Sequence, residues 1–90
     1  MNANKIGNYC GFNSGVVIGN KGGRKRPSIG DYVAFGPGAK AFGDLTIGNN
    51  CFVAANAVVT KDMPNNSIIA GLPGVRIKER EPRNQQQNVE

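Results

Sequence analysis

The sequence predicts an all-β fold, a parallel β-helix in which short strands and turns wind into about three to four triangular coils. Three observations support this prediction. Apolar residues recur at every sixth position, 13 of the 90 residues are glycine, and the Ile-Gly pairs at 29–30 and 47–48 lie 18 residues apart. A period of six matches neither the 3.6-residue period of an α-helix nor the two-residue alternation of an exposed strand. Three hexapeptides, each made of one strand and one turn, therefore close a coil of 18 residues.

Each hexapeptide carries two apolar positions that face the predicted interior. The lead position is apolar in six successive repeats: Ile29, Phe35, Ala41, Ile47, Val53 and Val59. The position four residues later is apolar and mostly small: Val33, Ala39, Leu45, Cys51, Ala57 and Met63. Because a stack of coils can bury an apolar face that a single repeat cannot, we expect the lead residues to form interior columns. With three earlier repeats included, these columns are Ile6, Ile29, Ile47; Phe12, Phe35, Val53; and Ile18, Ala41, Val59.

An insertion interrupts the repeat between Ile18 and Ile29, which lie 11 residues apart. The extra residues include the basic triplet Arg24–Arg26, which precedes Pro27. We therefore predict a loop over residues 20–28 that protrudes from a corner of the coil and does not belong to its wall.

The repeat gives way to other signals near Pro64. This proline and the two asparagines after it predict a turn, Ser67–Ala70 predicts a strand, and Gly71–Gly74 predicts a second turn. The β-helix domain is accordingly predicted over residues 1–77. The polar segment 78–90 contains few apolar residues, and we predict a disordered tail there.

The composition narrows the classes of partner and site. A net charge of +5 favours an anionic partner. Cys10 and Cys51 fall in one column with Val33 between them, so two coil spacings of ~4.8 Å place them beyond disulfide reach, and we expect two buried thiols. With no histidine and no closely spaced cysteine pair, the sequence predicts no metal site. It shows neither an apolar leader nor a membrane span, which predicts a cytoplasmic protein.

The segment PSIGDYVAFGPGAKAFGDLTIGNNCFVAANAVVTKDMP, from Pro27 to Pro64, and the GLPG turn that follows it are the most specific part of the chain. They resemble the hexapeptide-repeat acyltransferases with a left-handed β-helix, and are most similar to the C-terminal part of serine acetyltransferase. The resemblance covers residues 6–77. It implies a homotrimer with acetyl-CoA bound along the outside of the coils, between neighbouring subunits. The handedness rests on the resemblance alone, because the general preference for right-handed crossovers predicts the opposite hand.

The resemblance also implies a set of residues that bind acetyl-CoA. Small residues let the pantetheine arm approach the backbone, and a basic residue after the last repeat lies near the phosphates. Val75 stands where the family usually has a second basic residue. The implied cofactor-binding residues are Gly36, Gly38, Ala39, Ala54, Ala55, Lys61 and Arg76. Without the resemblance, other roles stay open. The small residues are also what the coil geometry requires, and Lys61 could equally belong to a solvated turn.

Arg26 differs from the family at a position that the resemblance assigns to catalysis. In the serine acetyltransferases the protruding loop ends in His-Pro, and this histidine serves as general base, whereas the pair here is Arg26–Pro27. Arginine stays protonated and cannot accept the proton of an attacking hydroxyl. The resemblance places a second histidine in a coil N-terminal to the part represented here. No other base stands out among the acidic and phenolic residues at predicted turns: Asp31, Asp44, Asp62, Tyr9 and Tyr32.

Three functions remain open at this point. The first is an acetyl-CoA-dependent O-acetyltransferase, or a truncated remnant of one, that acts on a small hydroxylated acceptor such as serine or a sugar. The second is a non-catalytic trimeric module that binds acetyl-CoA or serves as a scaffold. The third is nucleic-acid binding through Arg24, Lys25 and Arg26, which is disfavoured because three charges without aromatic neighbours form a small footprint. The lack of histidine is the feature that best separates the first function from the second.

Overall fold

The structure, a computed structural model, describes residues 3–19 and 25–81 of the chain. Within these ranges the chain forms short strands and no helix, so no described helix is long and apolar enough to cross a membrane. The strands are β1 (Lys5–Ile6), β2 (Gly11–Phe12), β3 (Val17–Gly19), β4 (Ser28–Ile29), β5 (Ala34–Phe35), β6 (Lys40–Phe42), β7 (Thr46–Ile47), β8 (Phe52–Val53), β9 (Val58–Val59), β10 (Ser67–Ala70) and β11 (Val75–Glu79).

The strands form the three faces of a prism with extents of 44 × 23 × 23 Å. The first face has the order β1-β4-β7, the second β11-β10-β8-β5-β2, and the third β3-β6-β9. Consecutive strands from β1 to β10 therefore lie on different faces, and every pairing except β10 with β11 is parallel. This is a parallel β-helix, as the repeat predicts, and it is left-handed, as the resemblance implies.

The three predicted interior columns are confirmed by the strand register. Ile6 pairs with Ile29 and Ile29 with Ile47 on the first face. Equivalent pairings join Phe12, Phe35 and Val53 on the second face, and Ile18, Ala41 and Val59 on the third. The middle and last coils bury these residues almost completely, whereas Ile6 in the first coil is 40% exposed. No described strand pairs with the outer edge of β1, which explains the exposure.

Met63 does not occupy its predicted column. The six-residue count places it with Leu45, but it forms a parallel bridge to Ile47 on the first face. The corner before it is two residues shorter than the repeat requires, since Ile47 and Met63 are 16 rather than 18 residues apart. Asp62 closes this short corner by accepting a hydrogen bond from the Thr46 N–H at 2.8 Å. The next pairing between coils keeps the separation of 16 residues, since Ile68 pairs with Phe52.

The β-structure extends past the boundary predicted at Ile77. The predicted strand over Ser67–Ala70 is confirmed as β10, and β11 pairs with it antiparallel through Glu79. The Arg80 guanidinium then donates to the Cys51 carbonyl at 2.9 Å. These hydrogen bonds hold residues 78–80 in place, which a count of apolar residues does not predict. The rest of the predicted tail, residues 82–90, lies outside the described residues.

The predicted loop over residues 20–28 is described only in part. Residues 20–24 lie outside the described residues, while Lys25 and Arg26 are exposed. Pro27 is fully buried and Ser28 begins β4, so the wall of the coil resumes at Pro27, inside the predicted loop.

The two cysteines are free, as their predicted separation requires, but only one is fully buried. Cys51 is 0% exposed. Burial raises the pKa of its thiol, and hydrogen bonds from Ser67 together with the Arg80 charge oppose this only in part. Cys10 is half-buried because it lies in the first coil, and its thiol donates to the Gly30 carbonyl at 3.2 Å. The expectation of two buried thiols is therefore wrong for Cys10.

We expect a soluble disulfide reagent to label one thiol in the folded chain and both after denaturation. Cys10 should react first, because reaction needs an accessible thiolate and Cys51 is buried with a raised pKa. Time-resolved labelling of the wild type, Cys10→Ser and Cys51→Ser checks this. Fast labelling of folded Cys10→Ser would contradict the assigned burial.

Candidate acetyl-CoA site

Five of the seven proposed cofactor residues lie at one corner of the prism: Gly36, Gly38, Ala54 and Ala55, and also Ala39. This second corner joins the second face to the third, and consists of residues 13–16, 36–39 and 54–57 in successive coils. Gly36 and Gly38 follow β5, while Ala54 and Ala55 follow β8. The residues are close in space, since a Cβ added at Gly36 would lie 2.8 Å from the Ala55 nitrogen. The structure therefore brings these five together.

The glycines of this corner are required by the way the coils stack. Gly38 has a φ of 74°, a conformation that L side chains rarely adopt, and a Cβ there would collide with the Asn56 side-chain oxygen. A Cβ at Gly36 would press into the backbone of the next coil. The corner therefore presents small residues, with Gly38 half-buried and Ala55 exposed, between the exposed side chains of Pro37 and Asn56.

The alanines of the corner differ in what they can contact. Ala55 is exposed and Ala54 is half-buried, so both can contact a molecule on the outer surface. Ala39 is 0% exposed and belongs to the core. Its backbone N–H donates to the Gly36 carbonyl at 3.1 Å and closes the turn. Ala39 can therefore shape the corner but its side chain cannot touch an external ligand.

The two proposed basic residues lie away from this corner. Lys61 is exposed at the third corner, between the third and first faces, and makes no hydrogen bond or ion pair with another described residue. Arg76 lies on β11, and its Nε donates to the Ser67 hydroxyl at 2.9 Å. Arg76 thus helps to hold β11 against β10, and only the rest of its guanidinium is available to a ligand.

The third face lies between the corner of small residues and Lys61. Side chains that alternate with its buried residues point outward in a row of Val17, Lys40 and Val58. The Lys40 ammonium donates to the Gly38 carbonyl at 2.9 Å, so it is held over the corner. Sequence reasoning missed Lys40, although its position directly after the small-residue segment and outside the apolar register was a usable signal.

The three aspartates considered as general bases each contact another described residue. The Asp31 carboxylate accepts the Asn8 N–H and the Asp62 carboxylate accepts the Thr46 N–H, each at 2.8 Å, so both join neighbouring coils. Asp44 lies 3.5 Å from the ammonium of Lys25 in an exposed ion pair. Arg26 is exposed and makes no hydrogen bond or ion pair with another described residue.

The two tyrosines are also placed by the fold. Tyr9 and Tyr32 stack at the corner between the first and second faces, with ring centroids 5.1 Å apart. This corner and the second corner lie on opposite sides of the second face. The phenols are therefore separated from the corner of small residues.

A groove of about 400 Å³ lies on the first face, apart from the proposed cofactor residues. Its floor includes Gly30 and Gly48, where an added Cβ would collide with the side-chain oxygens of Asn49 and Asn65. Those oxygens accept backbone N–H groups of the preceding coil at 2.7–2.8 Å. The groove is thus a consequence of the asparagine ladder that joins the coils. Among the described residues, no three His, Cys, Asp or Glu side chains gather into a metal-binding group.

Comparison with known proteins supports the fold and the class of protein. No protein-family model matches the chain. A serine acetyltransferase of Mycobacterium tuberculosis is 36% identical over 81 residues, which cover 87% of this chain and 35% of that protein. A serine acetyltransferase from Brucella abortus solved with coenzyme A superposes with a TM-score of 0.77 and 27% identity, over 86% of this chain and 40% of that one. A maltose O-acetyltransferase from Clostridium difficile superposes with a TM-score of 0.60 and 41% identity, over 62% of this chain and 30% of that one.

The coils, the corner of small residues and these similarities define a hexapeptide-repeat left-handed β-helix protein. Its structural neighbours include hexapeptide-repeat acetyltransferases. The chain is homologous to serine acetyltransferases, with 36% identity over most of its own length. It spans about a third of the length of the curated relatives it matches, between 30% and 36%.

Proposed function

We propose that the chain binds acetyl-CoA along its third face and represents the cofactor-binding part of an O-acetyltransferase. The observation that carries this proposal is the second corner, where the half-buried Gly38 and the exposed Ala55 lie together and the Lys40 ammonium is fixed on the Gly38 carbonyl. Small residues let a pantetheine arm approach the backbone, and a few fixed polar groups orient it. Lys61 and Arg76 remain the proposed contacts for the phosphates.

The proposed reaction is acetyl transfer from the thioester to a hydroxyl of serine or a small sugar. In the balanced step the hydroxyl oxygen attacks the thioester carbon, the carbon–sulfur bond breaks, and the hydroxyl proton leaves to a base while coenzyme A departs as thiol or thiolate. This chain supplies surface for the acetyl-CoA but no histidine to take the proton. We therefore infer that transfer by the chain alone is slow.

We further propose a homotrimer in the cytoplasm. The prism presents flat faces that carry exposed apolar side chains, including Val17 at 42% on the third face. A domain of 90 residues has little core of its own, and symmetric association would cover these faces. Two free cysteines suit a reducing compartment.

The test of the binding site uses an exposed residue so that the fold is not disturbed. Ala55→Leu places a branched side chain on the outer surface of the second corner, and we expect about a ten-fold or larger loss of coenzyme A affinity by calorimetry. Thr46→Leu is the matched control, because Thr46 is exposed on the first face. Equal affinities of the two variants would contradict the assignment.

Salt should weaken the binding of coenzyme A, because its phosphates are the main anionic groups and Lys61 is exposed to solvent. We expect Lys61→Ala to lower the affinity and to flatten the dependence on salt. Calorimetry from low to high ionic strength measures both effects. An affinity of the wild type that does not change with salt would count against Lys61 as a phosphate contact.

A non-catalytic acetyl-CoA-binding or scaffold module is the second candidate, and the lack of any histidine favours it. Turnover of acetyl-CoA separates it from the enzyme. Nucleic-acid binding gains no support, because Lys25 is paired with Asp44 and leaves fewer unpaired charges on the described end of the loop.

A further inference from the structure

We propose that Lys40 recognises a carbonyl oxygen in the pantetheine arm of acetyl-CoA, rather than a phosphate. This inference rests on the proposed function and adds a residue and a chemical role to it. It divides the basic residues into two groups: Lys40 at the second corner for the arm, and Lys61 at the third corner for the anionic end.

The first reason is the fixed position of the Lys40 ammonium. The side chain rises from the third face and folds back two residues to donate to the Gly38 carbonyl at 2.9 Å. An ammonium has three donors, so two remain for a ligand. Because the side chain is already held in place and half-buried, binding costs it less conformational entropy than a free lysine would lose.

The second reason is the absence of a compensating charge. Within residues 3–19 and 25–81 no carboxylate lies within ion-pair distance of Lys40, whereas Lys25 is paired with Asp44. Its neighbours in the ladder are Val17 and Val58. A half-buried cation among apolar and small residues therefore has donors that only solvent or a ligand can satisfy.

The third reason is location, which decides between a carbonyl and a phosphate. The Lys40 ammonium reaches the corner that holds Gly38 and the exposed Ala55, whose small size admits a thin, uncharged chain. Pantetheine carries two amide carbonyls, which are neutral acceptors. The phosphates form the anionic end of the ligand, and the exposed Lys61 at the third corner can meet them in solvent.

The experiment compares Lys40→Met with Lys5→Met and Lys40→Arg. Methionine keeps most of the apolar stem and removes the charge, and Lys5 is an exposed lysine on the first face, so Lys5→Met controls for the change in net charge. Arginine retains donors. The probes are coenzyme A, dephospho-coenzyme A and pantetheine, the last of which lacks every phosphate. Circular dichroism melting of each variant reports whether it is folded.

We expect Lys40→Met to weaken coenzyme A and pantetheine by the same factor, roughly ten- to hundred-fold, since one charge-assisted hydrogen bond is lost. The salt dependence of coenzyme A binding should keep the slope of the wild type, and Lys5→Met should bind as the wild type does. Lys40→Arg should recover part of the affinity.

A loss confined to coenzyme A, or a flatter salt dependence in Lys40→Met, would show a phosphate contact and overturn the inference. Unchanged affinity in a folded Lys40→Met would overturn it as well, while leaving the proposed function intact if the wild type binds coenzyme A. Failure of the wild type to bind any of the three probes would overturn the proposed function itself.

Discussion

Phe35→Ala is expected to reduce the free energy of unfolding by about 3–5 kcal/mol, the usual effect of removing a large side chain from a packed core. Phe35 is 0% exposed in the middle coil and stacks on Phe12 with ring centroids 5.2 Å apart. Small domains have a total stability of only about 5–15 kcal/mol, so this variant should be largely unfolded in mild denaturant. Equilibrium unfolding in guanidinium at a fixed protein concentration measures the change.

Phe12→Ala is the matched control, because it removes the same stack from the same column. Phe12 lies in the first coil and is only half-buried, so its loss should be clearly smaller than that of Phe35. Equal losses from the two variants would mean that the first coil is as well covered as the second. That result would contradict the exposed end described for the prism.

Turnover of acetyl-CoA by the wild-type chain is expected to lie about 100- to 10,000-fold below the ~1–1000 per second of ordinary enzymes, the usual cost of a missing general base. Arg26→His restores the residue that the family places before the loop proline. It should raise the rate only in part, because the chain carries no second histidine. Coenzyme A release across a panel of hydroxyl acceptors measures both forms.

The control for this assay is a Cys10→Ser background, since a disulfide reagent that detects coenzyme A also reacts with the accessible thiol of Cys10. Arg26→Gln separates loss of the charge from gain of a base. Ordinary enzymatic turnover by the wild type would show that another group accepts the proton. An increase in Arg26→Gln equal to that in Arg26→His would show that the arginine charge, rather than the lack of a base, limits the rate.

Most of the wall of the prism could be predicted because the repeat is a direct consequence of coil geometry. A residue that faces the interior must recur once per strand and turn, so the columns of Ile29, Phe35 and Ala41 follow from counting. The count fails where a corner changes length. Met63 shifts by two residues because the short corner held by Asp62 has no apolar signature of its own.

The candidate site was predicted less completely for a different reason. Small residues mark the second corner in the sequence, but the same glycines are needed for coil stacking. The residue type alone therefore does not distinguish a role in stacking from a role in binding. Exposure separates Ala55 from Ala39, and only the folded chain shows it. The bond from Lys40 to the Gly38 carbonyl and the order at Arg80 likewise depend on where the chain folds back.

The most direct test of the central claim, that coenzyme A binds along the third face, is a titration followed by ¹H–¹⁵N correlation spectra of the 9.5 kDa chain. We expect the amides of Gly36, Gly38, Ala55 and Val58 to shift together and to saturate at one affinity. The amides of Gly30 and Asn49 on the groove of the first face should stay in place. Shifts confined to the first face, or no shifts at saturating coenzyme A, would contradict the claim.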